Sequence, residues 1–201
     1  RVIPVVSALV KMGAKVSVDT YKAEVARACL ELGASIINDI TALRGDPEMI
    51  NVLKTYKPKI VIMYSKDNSP RLSLENKIYD NVVFDIKSFL SEKIRYLVMN
   101  GISKKDIIID PGLGFFLSGL PNPSYQVLNH LAEFKDLGCE ILVSPSKKSF
   151  LGGDIQNRGI KTLVASAIAI YNGADYVRVH EVAEHIEVRE TVYNFLKYAG
   201  N

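Results

Sequence analysis

Cysteine is scarce in this 201-residue chain: Cys29 and Cys139 are the whole complement. Two thiols can build neither a disulfide framework nor a multi-cysteine metal site, which points to a reducing compartment and gives the expectation of a cytoplasmic protein. No apolar run approaches the ~20 residues that a membrane-spanning helix needs, so no membrane partner is expected. No Asn-x-Ser/Thr acceptor free of a central proline occurs, so nothing hints at secretion. The glycines follow no collagen-like repeat, and 48% hydrophobic residues exclude a disordered chain. The net charge of +3 is too mild to argue for nucleic acid, yet it suits a small anionic substrate. A chain of this length buries roughly 70% of its unfolded surface, so it fits one domain or part of a larger α/β barrel.

What is present is an alternation. Six short runs rich in Val and Ile recur at residues 14–19, 34–39, 59–64, 107–110, 140–144 and 174–180. They are too short for independent helices and read as buried strands. Helix-period stretches lie between them: 22–32, stopped by Gly33; 81–100, stopped by Gly101; and 163–171, stopped by Asn172-Gly173. The first residues, Arg1 to Lys11, also read as a helix, which gives the expectation of a chain that lacks an upstream part. Strands alternating with helices pair in parallel through right-handed crossovers.

The strands end on polar groups: Asp19; Asn38 and Asp39; Tyr64 and Ser65; Asp110; Ser146, Lys147 and Lys148; Arg178 and His180. A (β/α)8 barrel gathers such ends on one catalytic rim, and a doubly wound sheet also binds ligands beyond its C-terminal edge. Gly112-Leu-Gly114 lacks the third glycine of a dinucleotide turn, which favours the barrel and disfavours a nicotinamide cofactor. The loops at 65–76, 116–124 and 152–159 follow strand ends, where lids would sit; ordinary surface loops are the alternative.

Several motifs have two readings. His180-Glu-Val-Ala-Glu-His185 spaces its histidines by five, not the four of a zinc-protease helix, so no metal site is expected there. His130 reads as a surface or packing residue. Asp110 could belong to a simple Asp-Pro-Gly turn, but it ends the most apolar strand and needs a cationic or N–H-rich partner. A guanidine-like group with two parallel donors would suit it. Asn38 offers a donor and an acceptor to a heterocycle edge. Asp19 is either a ligand group or the cap of the helix after it. Lys147 and Lys148 are either a solvated face or an anion site. Arg178 and His180 alternate along the last run, and suit a phosphate or diphosphate unless Arg178 is spent on a rim carboxylate.

Taken in order, Arg1-Val-Ile-Pro-Val-Val6, Val16-Ser-Val-Asp-Thr20, Ile36-Ile-Asn-Asp-Ile40, Asp110-Pro-Gly-Leu-Gly-Phe115, Ser146-Lys-Lys-Ser149 and Arg178-Val-His180 resemble the dihydropteroate synthase family of pterin-binding barrels. The resemblance implies a (β/α)8 barrel of which this chain carries the last six βα units, residues 1–201 forming one pterin-binding domain without the first two. It implies a transferase that joins a hydroxymethyl-dihydropterin diphosphate to p-aminobenzoate or a related arylamine, releasing pyrophosphate. Pterin contacts fall on Asp19, Asn38, Met63, Asp110, Phe115 and Lys148, and an arylamine contact on Ser149. Arg178 and His180 form the diphosphate site and, with Lys148, take the catalytic roles. Magnesium is implied as a cofactor held from the missing part, and a homodimer as the assembly; nucleic acid and membrane are not implied.

The chain also departs from that family. Phe116-Leu117 stands where a lysine is usual, Tyr64-Ser65 where a His-Met pair is usual, and Lys147 where an arginine is usual. Ser144-Pro145 replaces a glycine and is expected to crowd the pterin slot. Lys147 is also a candidate for an extra phosphate on a modified arylamine. A pterin-dependent methyltransferase and a non-catalytic pterin-binding relative are the rival readings; the first would need no diphosphate site.

Overall fold

The computed structural model describes residues 1–67 and 74–199. Six parallel strands form one sheet in strictly sequential order: β1 (Ser17–Asp19), β2 (Ile36–Asp39), β3 (Lys59–Met63), β4 (Ile107–Asp110), β5 (Glu140–Val143) and β6 (Tyr176–Val177). A doubly wound sheet would show a reversal of strand order; none is present among the described residues, so the topology is that of a barrel. The sheet also curls. Arg178, just after β6, bonds Asp19 at the end of β1, so the outermost strands meet at the C-terminal rim.

Helices cover the outer face: α1 (Val2–Lys11), α2 (Ala23–Glu31), α3 (Met49–Tyr56), α4 (Val82–Met99), α5 (Asn122–Asn129), α6 (Gly159–Tyr171) and α7 (Val182–Tyr198). The sequence expectation for α2, α4 and the end of α6 holds, but α6 begins four residues earlier than its apolar run. Helix α3, which the sequence expectation does not include, starts directly after the turn residues Gly45 and Pro47. Of the two readings of Asp19, the cap of α2 is not the one realised. The Ala23 N–H is instead accepted by Asp46 Oδ2 at 2.8 Å, and Thr20 Oγ1 takes the Lys22 N–H.

Side chains two apart share a sheet face, so every strand splits its residues between two layers. Ile37, Ile60, Ile62, Ile107, Ile109, Ile141 and Val143 point outward and join one core with Ala26, Leu53, Ile86, Leu90, Leu97 and Val127 of the helices. The inward set is mixed. Lys59, Glu140 and Tyr176 make a polar cluster low in the lumen, where the Lys59 ammonium bonds both the Glu140 carboxylate and the Tyr176 hydroxyl. Above them Asn38, Met63, Asp110 and Ser144 face the C-terminal rim. Stability therefore rests on the outer layer and chemistry on the inner one. Ile109→Ala, at a fully buried outward position, is expected to cost about 2–5 kcal/mol in urea unfolding and to leave the inner face unchanged.

Candidate active site

The rim encloses a cavity of about 280 Å³ whose walls include Asp19, Asn38, Met63, Asp110, Phe116, Ser144, Ser146, Lys148, Arg178 and His180. These residues come from β1, β2, β3, β4, β5 and β6 or the segments directly after them.

Asp110 is the most buried ionisable group of the cavity wall, 4% exposed at the end of Ile107-Ile-Ile-Asp110. Its Oδ1 accepts the Gly112 N–H at 2.8 Å. That turn demands glycine: Gly112 has φ +74°, and a Cβ there would collide with the Tyr64 carbonyl. Burial pushes the Asp110 carboxyl up to about 6. The Gly112 N–H, the Lys148 and Arg178 charges and a hydrogen bond with Ser144 pull the other way and only partly offset it. Burial likewise lowers the Lys148 ammonium, against the opposing pull of Asp110. Lys148 Nζ lies 4.4 Å from the centre of the Phe116 ring, a cation–π distance.

On the opposite wall, Asp19 Oδ2 accepts two bonds, from Asn38 Nδ2 at 3.1 Å and from Arg178 Nη1 at 3.0 Å. Beside them His180 Nδ1 is 2.7 Å from Ser146 Oγ. The cavity thus holds two carboxylates and two fixed cations, with one imidazole.

The period of two decides which neighbour serves the cavity. Asp39, adjacent to Asn38, is fully buried on the other face. It accepts from Thr41 N–H at 2.8 Å, Thr41 Oγ1 at 2.7 Å and Leu43 N–H at 2.8 Å. These bonds hold Ala42 and Leu43 in left-handed conformations, at φ 49° and 65°. Lys147 is turned away by its own φ of 55° and pairs with Glu181, so it does not offer the cavity an extra phosphate site.

One further expectation is corrected, and one candidate lies beside the cavity and not in its walls. Phe116, not Phe115, lines the cavity, because residues 114–116 form a 3-10 turn in place of an extended segment. Ser149 is absent from the walls; it opens a second 3-10 turn, residues 149–151, with its hydroxyl against Gly114. Ser144, expected to crowd the slot, and Ser146, a strand-end residue given no role of its own, both line the cavity. Ser144 meets Asp110 there instead of merely filling space. His185 bonds Ser166 and the Glu181 carbonyl on α7, away from His180. His130 is exposed beside Glu133.

Residues 68–73 of the expected 65–76 lid lie outside the described residues. Its flanks are anchored to the loop after β4. Lys66 N–H bonds the Phe116 carbonyl at 3.0 Å, Gly119 N–H bonds Glu75 at 2.8 Å, and the Tyr79 hydroxyl bonds Leu117 at 2.7 Å. The two loops therefore fix the Phe116 backbone together.

Among the described residues no three His, Cys, Asp or Glu side chains lie close enough to hold a metal. The two cavity carboxylates are committed to Arg178, Asn38 and the Gly112 N–H, so the donor set does not fit a magnesium cage. No described helix is long and apolar enough to cross a membrane.

A curled parallel sheet with its polar residues on the C-terminal rim defines a (β/α)-barrel enzyme. Residues 1–180 match the family described as "Pterin binding enzyme". The chain is 36% identical over its whole length to the dihydropteroate synthase of Bacillus subtilis, of which it covers 68%. It is 40% identical over 92% of its length to a probable bifunctional folylpolyglutamate synthase/dihydropteroate synthase of Haloferax volcanii, of which it spans only 22%. The solved dihydropteroate synthase of Xanthomonas albilineans in complex with 7,8-dihydropteroate superposes with a TM-score of 0.87 at 33% identity, covering 98% of this chain and 73% of that one. The chain belongs to the pterin-binding enzyme family, among its dihydropteroate synthases.

The pH dependence of stability follows from Asp110. Its folded value of about 6 stands above the ordinary 3.8, so the folded state binds the extra proton and stability falls as pH rises through that window. Two units correspond to about 3 kcal/mol at neutral pH. Asp110→Asn is expected to recover about 1–3 kcal/mol at pH 7 in urea unfolding, and to flatten the slope between pH 4 and 7. A variant no more stable at pH 7 than at pH 4.5, relative to the parent, contradicts this account.

Proposed function

We propose that this chain carries the active site of a dihydropteroate synthase, joining a hydroxymethyl-dihydropterin diphosphate to an arylamine of the p-aminobenzoate kind and releasing pyrophosphate. The observation that carries the reading is the single cavity with two chemistries. Asp110 and Asn38 offer acceptor and amide groups to a guanidine-bearing heterocycle, while Arg178 and His180 offer donors to an anion. Met63 and Phe116 supply apolar walls, and Lys148, a donor with no acceptor capacity, holds the heterocycle's acceptor edge. Ser149, next to Lys148 and Gly114, is the proposed contact for the arylamine.

The reaction separates charge. The carbon–oxygen bond breaks and its electron pair leaves with the diphosphate, while the dihydropterin ring stabilises the electron-poor carbon. The arylamine nitrogen then gives its lone pair to that carbon, and the proton it sheds passes to solvent. Arg178 and His180 face the oxygen atoms on which negative charge accumulates, and such fixed donors act most strongly where water is excluded. Asp110 anchors the heterocycle in its charged form, which burial makes available only above about pH 6. No described residue is needed as a general base. The family's magnesium has no built cage here, so no step is assigned to it.

Residues 1–201 act in this reading as one pterin-binding barrel domain of a cytoplasmic protein, in keeping with its two free thiols. A homodimer is proposed through the outer face of α6 and α7, where Val164, Tyr171 and Phe195 are exposed, Phe195 by 68%.

With the pterin diphosphate and p-aminobenzoate, pyrophosphate release is the expected readout. Arg178→Ala is expected to lower kcat/KM about 100-fold or more, the loss typical of removing a transition-state donor. Pterin affinity in calorimetric titration is expected to fall about tenfold from pH 7 to pH 5 as Asp110 takes up its proton. Asp110→Asn should remove that dependence and weaken binding more than about tenfold at pH 7. Pyrophosphate release by the Arg178→Ala variant at the parental rate would remove the anion site from the mechanism.

A further inference from the structure

We propose that Asp19 is a counter-ion that competes with the diphosphate for Arg178, and so weakens the hold on released pyrophosphate. This deepens the reading above and rests on it. Asp19 and Arg178 stand 159 residues apart in sequence, at opposite edges of the sheet, yet form an ion pair of 3.0 Å across the cavity. The same Asp19 oxygen is fixed from the other side by Asn38 Nδ2 at 3.1 Å, so the carboxylate cannot easily follow Arg178 away. Without ligand, Asp19 and Asp110 balance Lys148 and Arg178.

A diphosphate adds several negative charges to this balanced site. Arg178 has to divide its five donors between Asp19 and the incoming oxygens, and Asp19 remains as a fixed like charge beside them. Both side chains of the pair are about half exposed, at 59% and 48%, so the pair itself is weak and the exchange is cheap. The repulsion is the larger effect. A unit charge several ångströms from a multiply charged anion, in the intermediate dielectric of a cavity wall, changes affinity about 5- to 20-fold. The carboxylate that helps to orient Arg178 therefore also limits how tightly the leaving group is retained after the carbon–oxygen bond has broken.

Asp19→Asn tests this, because the amide oxygen still accepts from Asn38 while the charge is gone. The probe is inorganic pyrophosphate, titrated calorimetrically into the parent chain, Asp19→Asn and Asp19→Glu. The expected result is about 5- to 20-fold tighter binding by Asp19→Asn, parental affinity for Asp19→Glu, and in turnover a lower kcat for Asp19→Asn with stronger product inhibition by pyrophosphate. Unchanged or weaker pyrophosphate binding by Asp19→Asn overturns the proposal and assigns Asp19 the role of a simple orienter of Arg178. A parent chain that binds no pyrophosphate instead overturns the diphosphate site itself, so the two failures are distinct. A free hydroxymethyl-pterin, which lacks the diphosphate, serves as control: tightening for it as well would show a general loosening of the cavity and would also count against the proposal.

Discussion

A carboxylate held at the end of an isoleucine strand is the constraint on which the rest of this site depends. Asp110 is largely shielded from water where it lies, so the surrounding structure is arranged to make its charge tolerable. A glycine that alone can make the turn delivers an N–H, Ser144 delivers a hydroxyl, and Lys148 and Arg178 lend positive potential. These partners only partly offset the cost of its burial. That deficit is what a ligand with parallel N–H donors would fill, and it converts a cost in stability into binding selectivity.

The pleat of the strands keeps this costly chemistry apart from the core. Asn38 and Asp39 are adjacent, yet one faces the cavity while the other ties down the loop at 41–43. Ile109 and Asp110 divide in the same way between helix layer and rim, and so do Lys147 and Lys148 after β5. Because the outward residues carry the packing, the inward ones are free to be polar. The barrel can then place two carboxylates and two cations on one wall system without dismantling its core.

This division explains what could be read from the chain beforehand. The strands were legible because parallel strands buried on both faces are nearly continuous in Val and Ile, and their polar ends pointed to a shared rim. Asp110, Asn38, Lys148, Arg178 and His180 were found by that rule. The misses share a different cause. Phe115, the position implied by the resemblance, gives way to Phe116 because a 3-10 turn changes which side chain faces inward, and no residue type signals that turn. The capping of α2 by Asp46 joins residues 23 apart in sequence, whereas the ion pair of Arg178 with a rim carboxylate was one of its two readings and only the partner, Asp19, was not named. Pairing of the neighbouring strands β1 and β2 brings Asp46 to Ala23, and the curl of the sheet brings Asp19 to Arg178. Ser144 looked like an obstruction since its partner, Asp110, lies on the neighbouring strand.

The same curl gives the cavity an electrostatic asymmetry. Asp110 lies deep and is poorly compensated, whereas Asp19 lies half exposed and is paired to Arg178. A deep acid facing a neutral N–H donor gains by keeping its ligand, since leaving would restore a buried charge that its own partners only partly offset. A shallow acid beside an anion site does the reverse, because every added negative charge competes with it for the same guanidinium. A substrate with a donor-rich ring at one end and a polyanion at the other would therefore be gripped by the ring and held loosely by the tail. That gradient suits a displacement in which the ring must stay in place while the tail departs, and it needs no moving part beyond one arginine side chain.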